Sequence, residues 1–146
     1  MTYSHYIVLP AFRPEKEFSL LAKDVAILVE NAPEGADLTG GKDHASPVIN
    51  NELLMIGSSR SSDFIPSVLR FSIHEELPKR RYPLLIIDTE GLPYDSVICA
   101  CIMAIKHHFP STIITTDGTR EDWKMAIALY EYALDRKVPA FEFVNK

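Results

Sequence analysis

The C-terminal half of the chain changes its hydrophobic period three times. Residues 84–87 are four consecutive apolar side chains, which is typical of a strand covered on both faces. From 94 to 109, apolar residues recur at helical spacing and also fill the remaining sides, which predicts a deeply buried helix. Residues 112–116 are all β-branched and predict a second strand, and residues 123–134 return to helical spacing. The pattern therefore predicts strand, helix, strand and helix in that order.

The N-terminal half is predicted to consist mostly of strands. Residues 3–9 form a short apolar run that predicts a first strand. Residues 48–56 and 64–73 flank a polar stretch, as the two arms of a hairpin do. Between these segments, residues 15–30 favour a helix, although three of their apolar side chains also alternate as in a strand. Residues 33–47 are rich in turn formers and predict a surface loop.

The order of these elements predicts the fold class. At 146 residues and 47% apolar composition, the chain suits a single domain that spans residues 1–146. We expect an α+β fold in which the strand-rich N-terminal half packs on a C-terminal βαβα unit. The strands are expected to form a single mixed sheet, with a final edge strand at residues 140–144.

Polar residues follow both predicted strands of the βαβα unit. Such strands normally run parallel through a right-handed crossover, so their carboxyl ends meet at one edge of the sheet. Ligands of open α/β sheets tend to bind at that edge, which makes it the first site candidate. The candidate ligand-binding residues are Asp88, Thr89, Tyr94, Asp95, Thr116, Asp117 and Trp123.

Two interpretations of this acidic edge stay open. Asp88, Asp95 and Asp117 could hold Mg²⁺ or Mn²⁺ through hard oxygen ligands, and the metal could activate water for phosphoester or nucleotide hydrolysis. Carboxylates equally favour turns and helix N-termini without any ligand. The sequence has no Ser-His-Asp order and no nucleophile elbow, so no catalytic residue is assigned.

Two short motifs resemble nucleotide or phosphate loops. Residues 88–91 resemble the switch of large guanylate-binding GTPases and the entry motif of haloacid-dehalogenase-type phosphatases. A GTPase needs an upstream glycine loop followed by Lys and a hydroxyl residue, and the phosphatase needs a second Asp where Glu90 stands. Residues 57–62 resemble the Gly-Ser-x-Arg phosphate loop of flavodoxin-like flavin reductases, but a polar hairpin turn accounts for them. Neither motif identifies a substrate.

A longer resemblance spans residues 89–123. In this segment a Thr-x-x-x-Pro-Tyr-Asp turn opens an apolar helix that ends in His, and an Asp-Gly turn then precedes Trp. The matching residues are Thr89, Pro93, Tyr94, Asp95, His107 or His108, Asp117, Gly118 and Trp123. In this order the segment resembles a family of small bacterial and phage-associated proteins of unknown function. The resemblance implies a related fold and a mobile-element origin, and it implies no activity.

Composition narrows the expected partners. A net charge of −5 with scattered Lys and Arg weighs against binding to a phosphate backbone, so a nucleic-acid partner is not expected. The longest apolar run, residues 97–105, is far shorter than the roughly 20 residues that cross a bilayer. The start of the chain lacks the basic region and long apolar core of a secretory signal. These features predict a soluble cytoplasmic protein without a membrane partner.

The two cysteines are predicted to be reduced, buried thiols. Cys99 and Cys101 lie two positions apart on the predicted helix and point about 200° apart, so they cannot form a disulfide. Cys101 and His108 share a helical face, but about 10 Å separates them along the axis, which is too far to bind one zinc ion. No metal or cofactor is expected apart from the Mg²⁺ or Mn²⁺ of the open alternative.

The leading functional hypothesis follows from the incomplete chemistry of the chain. Because the sequence offers no complete catalytic constellation, we expect a non-enzymatic binding or accessory module that takes a partner protein or a small molecule. The alternative is a metal-dependent phosphoesterase or nucleotide hydrolase that uses the acidic edge.

Overall fold

A computed structural model describes residues 3–62, 65–74 and 84–143. It confirms an α+β fold, and α1 has the bounds that the apolar spacing predicted. The described elements in chain order are β1 (Ser4–Val8), α1 (Glu15–Glu30), β2 (Leu38–Thr39), β3 (Val48–Ile49), β4 (Leu53–Ser58), β5 (Leu69–Ser72), β6 (Leu84–Asp88), α2 (Asp95–His108), β7 (Ile113–Thr116) and α3 (Lys124–Leu134).

The strands form two sheets, so the prediction of a single mixed sheet is wrong. In the first sheet the strand order is β6-β1-β7, and β1 pairs antiparallel with both neighbours. The two strands of the predicted βαβ unit therefore run in the same direction but do not pair, because β1 lies between them. The expected common direction of the two strands is confirmed, while the strand between them comes from the other end of the chain.

The second sheet is built on β4, which pairs antiparallel with β2, β3 and β5. The apolar run 48–56 was expected to be one strand, but a turn divides it into β3 and β4. The Asn50 side chain makes this turn, since its oxygen accepts the backbone N–H groups of Glu52 and Leu53 at 2.8 and 2.9 Å. The expected pairing of residues 48–56 with 64–73 is present as the β4–β5 ladder, although residues 63–64 lie outside the described part.

The helices share one core with both sheets. The helix α2 is the most buried element, because every residue from Val97 to Ile105 is fully buried, as the apolar pattern predicted. The helix α1 buries Phe18, Leu21 and Val25 with others at helical spacing, which resolves this segment as a helix. Both Cys99 and Cys101 are free and buried, which confirms the predicted thiol state.

Two expectations about the strands are wrong, one about the existence of a strand and one about the burial of another. Residues 140–143 form no strand, and residue 144 lies outside the described part of the chain. Phe141 and Phe143 instead pack their rings against Trp123. The strand β6 was expected to be covered on both faces, but Leu84 and Ile86 are 56% and 38% exposed.

None of the described helices is both long enough and apolar enough to cross a bilayer.

Candidate functional site

The antiparallel position of β1 brings its first residues to the carboxyl ends of β6 and β7. In the ladder registers, Ser4 lies opposite Asp88, and His5 lies opposite Thr116. The first turn of α2 begins at the same edge with Asp95. The acidic edge expected from a parallel pair therefore exists, but a third strand runs through its centre.

A network of hydrogen bonds surrounds His5, a fully buried residue of β1. Its Nε2 atom lies 2.7 Å from Asp95 Oδ1, and its Nδ1 atom lies 2.7 Å from Thr116 Oγ1. The Thr89 hydroxyl donates to the same Asp95 oxygen at 2.6 Å. We call this group the His5 network, and its members are His5, Thr89, Asp95, Cys99, Thr116 and Trp123.

The hydrogen bonds around Thr116 fix the tautomer of His5. The Thr116 hydroxyl oxygen accepts the backbone N–H of Gly118 at 3.0 Å and the indole N–H of Trp123 at 3.2 Å. These two bonds use both lone pairs of the oxygen, which favours donation of the hydroxyl hydrogen to Nδ1 of His5. The imidazole therefore carries its hydrogen on Nε2 and donates it to Asp95.

Cys99 of α2 also contacts His5 and Asp95 within the network. Its sulfur lies 3.4 Å from His5 Nε2 and donates to Asp95 Oδ2 at 3.6 Å. Burial, followed by the charge of Asp95 and its hydrogen bond, raises the pKa of the Cys99 thiol well above its ordinary value. A thiol in this environment stays protonated and is a poor nucleophile, so covalent catalysis by Cys99 is disfavoured.

Aromatic rings enclose the network. The rings of Tyr3 and Trp123 pack edge-to-face on His5, with centroids at 5.2 and 5.3 Å. A side chain at Gly118 would collide with the Tyr3 hydroxyl, which explains the glycine at this position. Burial and then the nearby charges of Asp95 and Cys99 raise the pKa of Tyr3. Its buried hydroxyl has no hydrogen-bond partner among the residues that the structure describes.

The seven predicted site residues divide into two groups. Thr89, Asp95, Thr116 and Trp123 belong to the His5 network. The other three residues, Asp88, Tyr94 and Asp117, make hydrogen bonds outside this network. The buried Tyr94 hydroxyl donates to the carbonyl of Ser67 at 2.9 Å and so ties α2 to the segment before β5.

Asp88 and Asp117 hold the beginning of β1 from its two sides. The Oδ1 atom of Asp88 accepts the backbone N–H of Tyr3 at 3.1 Å and that of Glu90 at 2.9 Å. The Oδ2 atom of Asp117 accepts the backbone N–H of Ser4 at 3.0 Å. These bonds satisfy backbone donors that no strand neighbour reaches, so both aspartates have a structural role at this edge.

The sequence analysis missed His5 and Cys99. His5 shares its strand face with the core residues Ile7 and Leu9, and Cys99 lies one helical turn after Asp95. Within the described ranges, His5, Asp95 and Cys99 are the one group of three side chains whose possible metal-binding atoms all lie within 4.8 Å of one another. The trio Asp88, Asp95 and Asp117 of the sequence-based alternative is not such a group.

Comparison of the chain with protein-family models, curated proteins and solved structures gives no match. The resemblance to phage-associated proteins and the mobile-element origin that it implies therefore stay predictions. The functional argument rests on the geometry of the described residues.

Proposed function

We propose that this protein is a non-enzymatic binding module, and that a partner protein docks on the uncovered face of its first sheet. The observation that carries the proposal is the apolar character of this face. We call it the outer face, and its residues are Tyr6, Val8, Leu84, Ile86, Ile113 and Thr115.

The register of the first sheet places these residues in two rows. Val8 lies opposite Leu84 on one side and opposite Ile113 on the other. Tyr6 lies in the same way between Ile86 and Thr115. Directly paired residues point to the same side of a sheet, so the six side chains form one continuous surface.

This surface faces away from the helices. The alternate residues Ile7, Ile87 and Ile114 belong to the core, while Leu84 and Ile113 are 56% and 58% exposed. An antiparallel sheet with one solvated face usually carries polar residues on that face. A contiguous apolar patch is instead the usual mark of a protein interaction site.

The edge of the same sheet supports a protein partner. Among the strands described, β7 is a terminal strand of the first sheet, and its residues Ile113–Thr116 include no proline and no charged side chain. Exposed edge strands normally carry such residues, which prevent pairing with another chain. A partner that covers the outer face can therefore also add a strand to β7.

The acidic edge favours binding over hydrolysis. Asp88 and Asp117 accept backbone N–H groups of β1, and Asp95 accepts three side-chain hydrogen bonds. Asp88 and Asp117 thus each hold the backbone of β1, which leaves fewer of their lone pairs for Mg²⁺ or Mn²⁺.

The docking proposal can be tested with a photo-crosslinking side chain. Placed at Ile113, it is expected to give an adduct of one defined mass in the native host, either with a second copy or with another protein. The matched control is Met125, an apolar residue of α3 that is 67% exposed outside the outer face. The adduct at 113 should be lost on adding Ile86→Asp, because a charge in the patch opposes burial. No defined adduct at 113, or the same adduct at 125, would overturn the proposal.

The hydrolase alternative predicts a different result. On the binding proposal, millimolar Mg²⁺ or Mn²⁺ leaves the melting temperature within about 1 °C, since a ligand that does not bind the native state does not stabilise it. Metal-dependent phosphoester turnover that is lost in Asp117→Asn would establish the hydrolase and exclude the non-enzymatic assignment.

A further inference from the structure

We propose that His5, Asp95 and Cys99 form a zinc-binding site at the start of α2. This inference is independent of the outer face and of any partner protein. It rests on the positions of three side-chain atoms, His5 Nε2, a carboxylate oxygen of Asp95 and Cys99 Sγ.

The distances between these atoms approach those of a tetrahedral site. Bonds of about 2.0–2.1 Å to nitrogen or oxygen and about 2.3 Å to sulfur place the ligands of tetrahedral zinc about 3.3–3.6 Å apart. The Cys99 sulfur lies 3.4 Å from His5 Nε2 and 3.6 Å from Asp95 Oδ2. The remaining distance, 2.7 Å from His5 Nε2 to Asp95 Oδ1, is that of a hydrogen bond. It has to open by roughly 0.6 Å to reach the tetrahedral value.

The charges of the ligand set match those of a divalent ion. Binding removes the proton of the Cys99 thiol to solvent, and the resulting thiolate and the Asp95 carboxylate together neutralise Zn²⁺. A neutral assembly suits this position, because His5 and Cys99 are fully buried. Thiolate and imidazole are ligands that zinc prefers and Mg²⁺ does not. Asp95, whose side chain is 14% exposed, is the part of the site nearest to solvent.

The surrounding hydrogen bonds orient two of the three ligands. Thr89 donates to Asp95 at 2.6 Å, and Thr116 lies 2.7 Å from the other nitrogen of His5. Metal-ligating histidines and carboxylates normally have such partners. When Nε2 binds zinc, the imidazole hydrogen moves to Nδ1 and is donated to Thr116. The Thr116 oxygen must then release the N–H of Gly118 or of Trp123 to accept this hydrogen, which sets a cost against binding.

Three protein ligands leave a fourth position for water, as in zinc sites that are open to exchange. The rings of Tyr3 and Trp123 pack edge-to-face on His5 and so fix the orientation of this ligand.

Cys101 offers a matched control two residues from Cys99. It is also fully buried in α2, and burial raises the pKa of its thiol to about 12. It belongs to no group of three possible metal ligands in the described part of the chain. Cys99→Ser and Cys101→Ser therefore make the same chemical change in similar surroundings, and only the first removes a proposed ligand.

The experiment uses the full chain, freed of metal with a chelator and titrated with Co²⁺ and then Zn²⁺. We expect Co²⁺ to give a thiolate-to-metal absorption band that Zn²⁺ abolishes. Zinc at about 100 times its dissociation constant should raise the melting temperature by roughly 5 °C or more. Both effects should disappear in Cys99→Ser and persist in Cys101→Ser.

Two results would overturn the proposal. Absence of the band and of the thermal shift in the wild-type chain would show that the three side chains bind no metal. Equal effects in Cys99→Ser and in the wild type would assign metal binding to other residues. If Cys99→Ser does not fold, Asp95→Asn takes its place, because it keeps the shape of the side chain and removes the charge of one proposed ligand. A Co²⁺ band and a thermal shift as large as those of the wild type would then overturn the proposal.

Discussion

Two histidines occupy opposite ends of α2 and differ in their hydrogen-bond partners. His5 lies against the first turn of the helix, where its ring nitrogens face a carboxylate and a hydroxyl. His108 is the last residue of the helix, and its ring nitrogens face two carboxylates, Glu17 at 2.7 Å and Asp24 at 2.5 Å. Both side chains are buried, at 0% and 8% exposure. Burial alone therefore does not determine the protonation state of either residue.

The partners of the ring nitrogens make the difference. A carboxylate accepts hydrogen bonds and cannot donate one when ionised, so both nitrogens of His108 must carry hydrogen. Burial alone would lower the pKa of His108, but the hydrogen bonds of Asp24 and Glu17 outweigh it and raise the pKa above its ordinary value. At His5, one ring nitrogen faces the Thr116 hydroxyl instead, which can donate as well as accept. The comparison shows that two buried imidazoles can differ in their partners, since His108 faces two carboxylates where His5 faces one carboxylate and one hydroxyl.

His108 also joins three helices. Glu17 and Asp24 belong to α1, and Arg136, just beyond α3, donates to Asp24 at 2.6 Å. As the last residue of α2, a protonated His108 also interacts favourably with the negative end of the helix dipole. The structure adds an ion-pair cluster that connects the ends of all three helices.

The largest effect is expected at His5. His5→Ala removes the partner of Asp95 and leaves a cavity beneath two aromatic rings, so it should lower the free energy of unfolding by roughly 3–5 kcal/mol. Urea unfolding followed by circular dichroism measures the change. The control is His74→Ala, since His74 is 66% exposed and should change the stability by less than about 0.5 kcal/mol. A loss at His5 below about 1 kcal/mol would show that the network does not support the fold.

His108 should show a smaller, pH-dependent effect. Its pKa in the folded state lies above the value of about 6.5 expected for the unfolded chain, so the folded state binds the proton more tightly. The stabilisation is therefore complete below about pH 6.5 and is lost as the pH rises through the folded pKa. At pH 6 we expect the free energy of unfolding of the wild type to exceed that of His108→Gln by about 2 kcal/mol. This difference should narrow towards pH 9.

His107 provides the control for this pH dependence. Burial, and then the positive charges of Arg136 and His108, lower the pKa of His107, so its titration acts in the opposite direction. The contribution of His107 to the free energy of unfolding rises as the pH approaches about 6.5 from below and is complete above that value, so it adds no loss between pH 6.5 and 9. A profile for His107→Gln that matches the profile of His108→Gln would contradict the assignment of the raised pKa to the Glu17 and Asp24 contacts.

A still smaller effect is expected from the hydrogen bonds around Asp95. Thr89→Val keeps the shape of the side chain and removes the 2.6 Å bond to Asp95, which should cost about 1.5 kcal/mol in urea unfolding. The control is Ser96→Ala, since the exposed Ser96 hydroxyl donates at 3.3 Å to the carbonyl of Pro93. Equal losses in the two variants would mean that the Thr89 bond has no special role in the network.

The sequence predicted the helices and strands better than it predicted which strands pair with one another. The apolar stripe of α2 and the β-branched residues of β7 predicted both elements, because these signals come from neighbours within one segment. The insertion of β1 between β6 and β7 was not predicted, since strand pairing across the chain leaves no local pattern. The exposure of Leu84 was missed for a related reason, because an apolar run looks the same whether another part of the chain or a partner covers it.

The candidate site shows the same division. Thr89, Asp95, Thr116 and Trp123 were found because parallel strand ends meet at one edge. His5 was missed because its two hydrogen-bond partners lie 90 and 111 residues away in sequence. The Asp95–Cys99 pair was accessible to sequence reasoning, since residues four apart share a helix face. The pair forms a possible metal site only together with the imidazole of His5, which comes from β1.

The central position of β1 has a consequence for the order of folding. This strand is made first during synthesis, yet Tyr3 and Ser4 find their side-chain acceptors 85 and 113 residues later. Contacts of such long range slow the formation of a sheet, because a long loop must close before any pairing stabilises it. An emerging chain can complete α1 and the second sheet while β1 still lacks both neighbours. The first sheet, and with it the edge that holds His5, should therefore be the last part of the molecule to assemble.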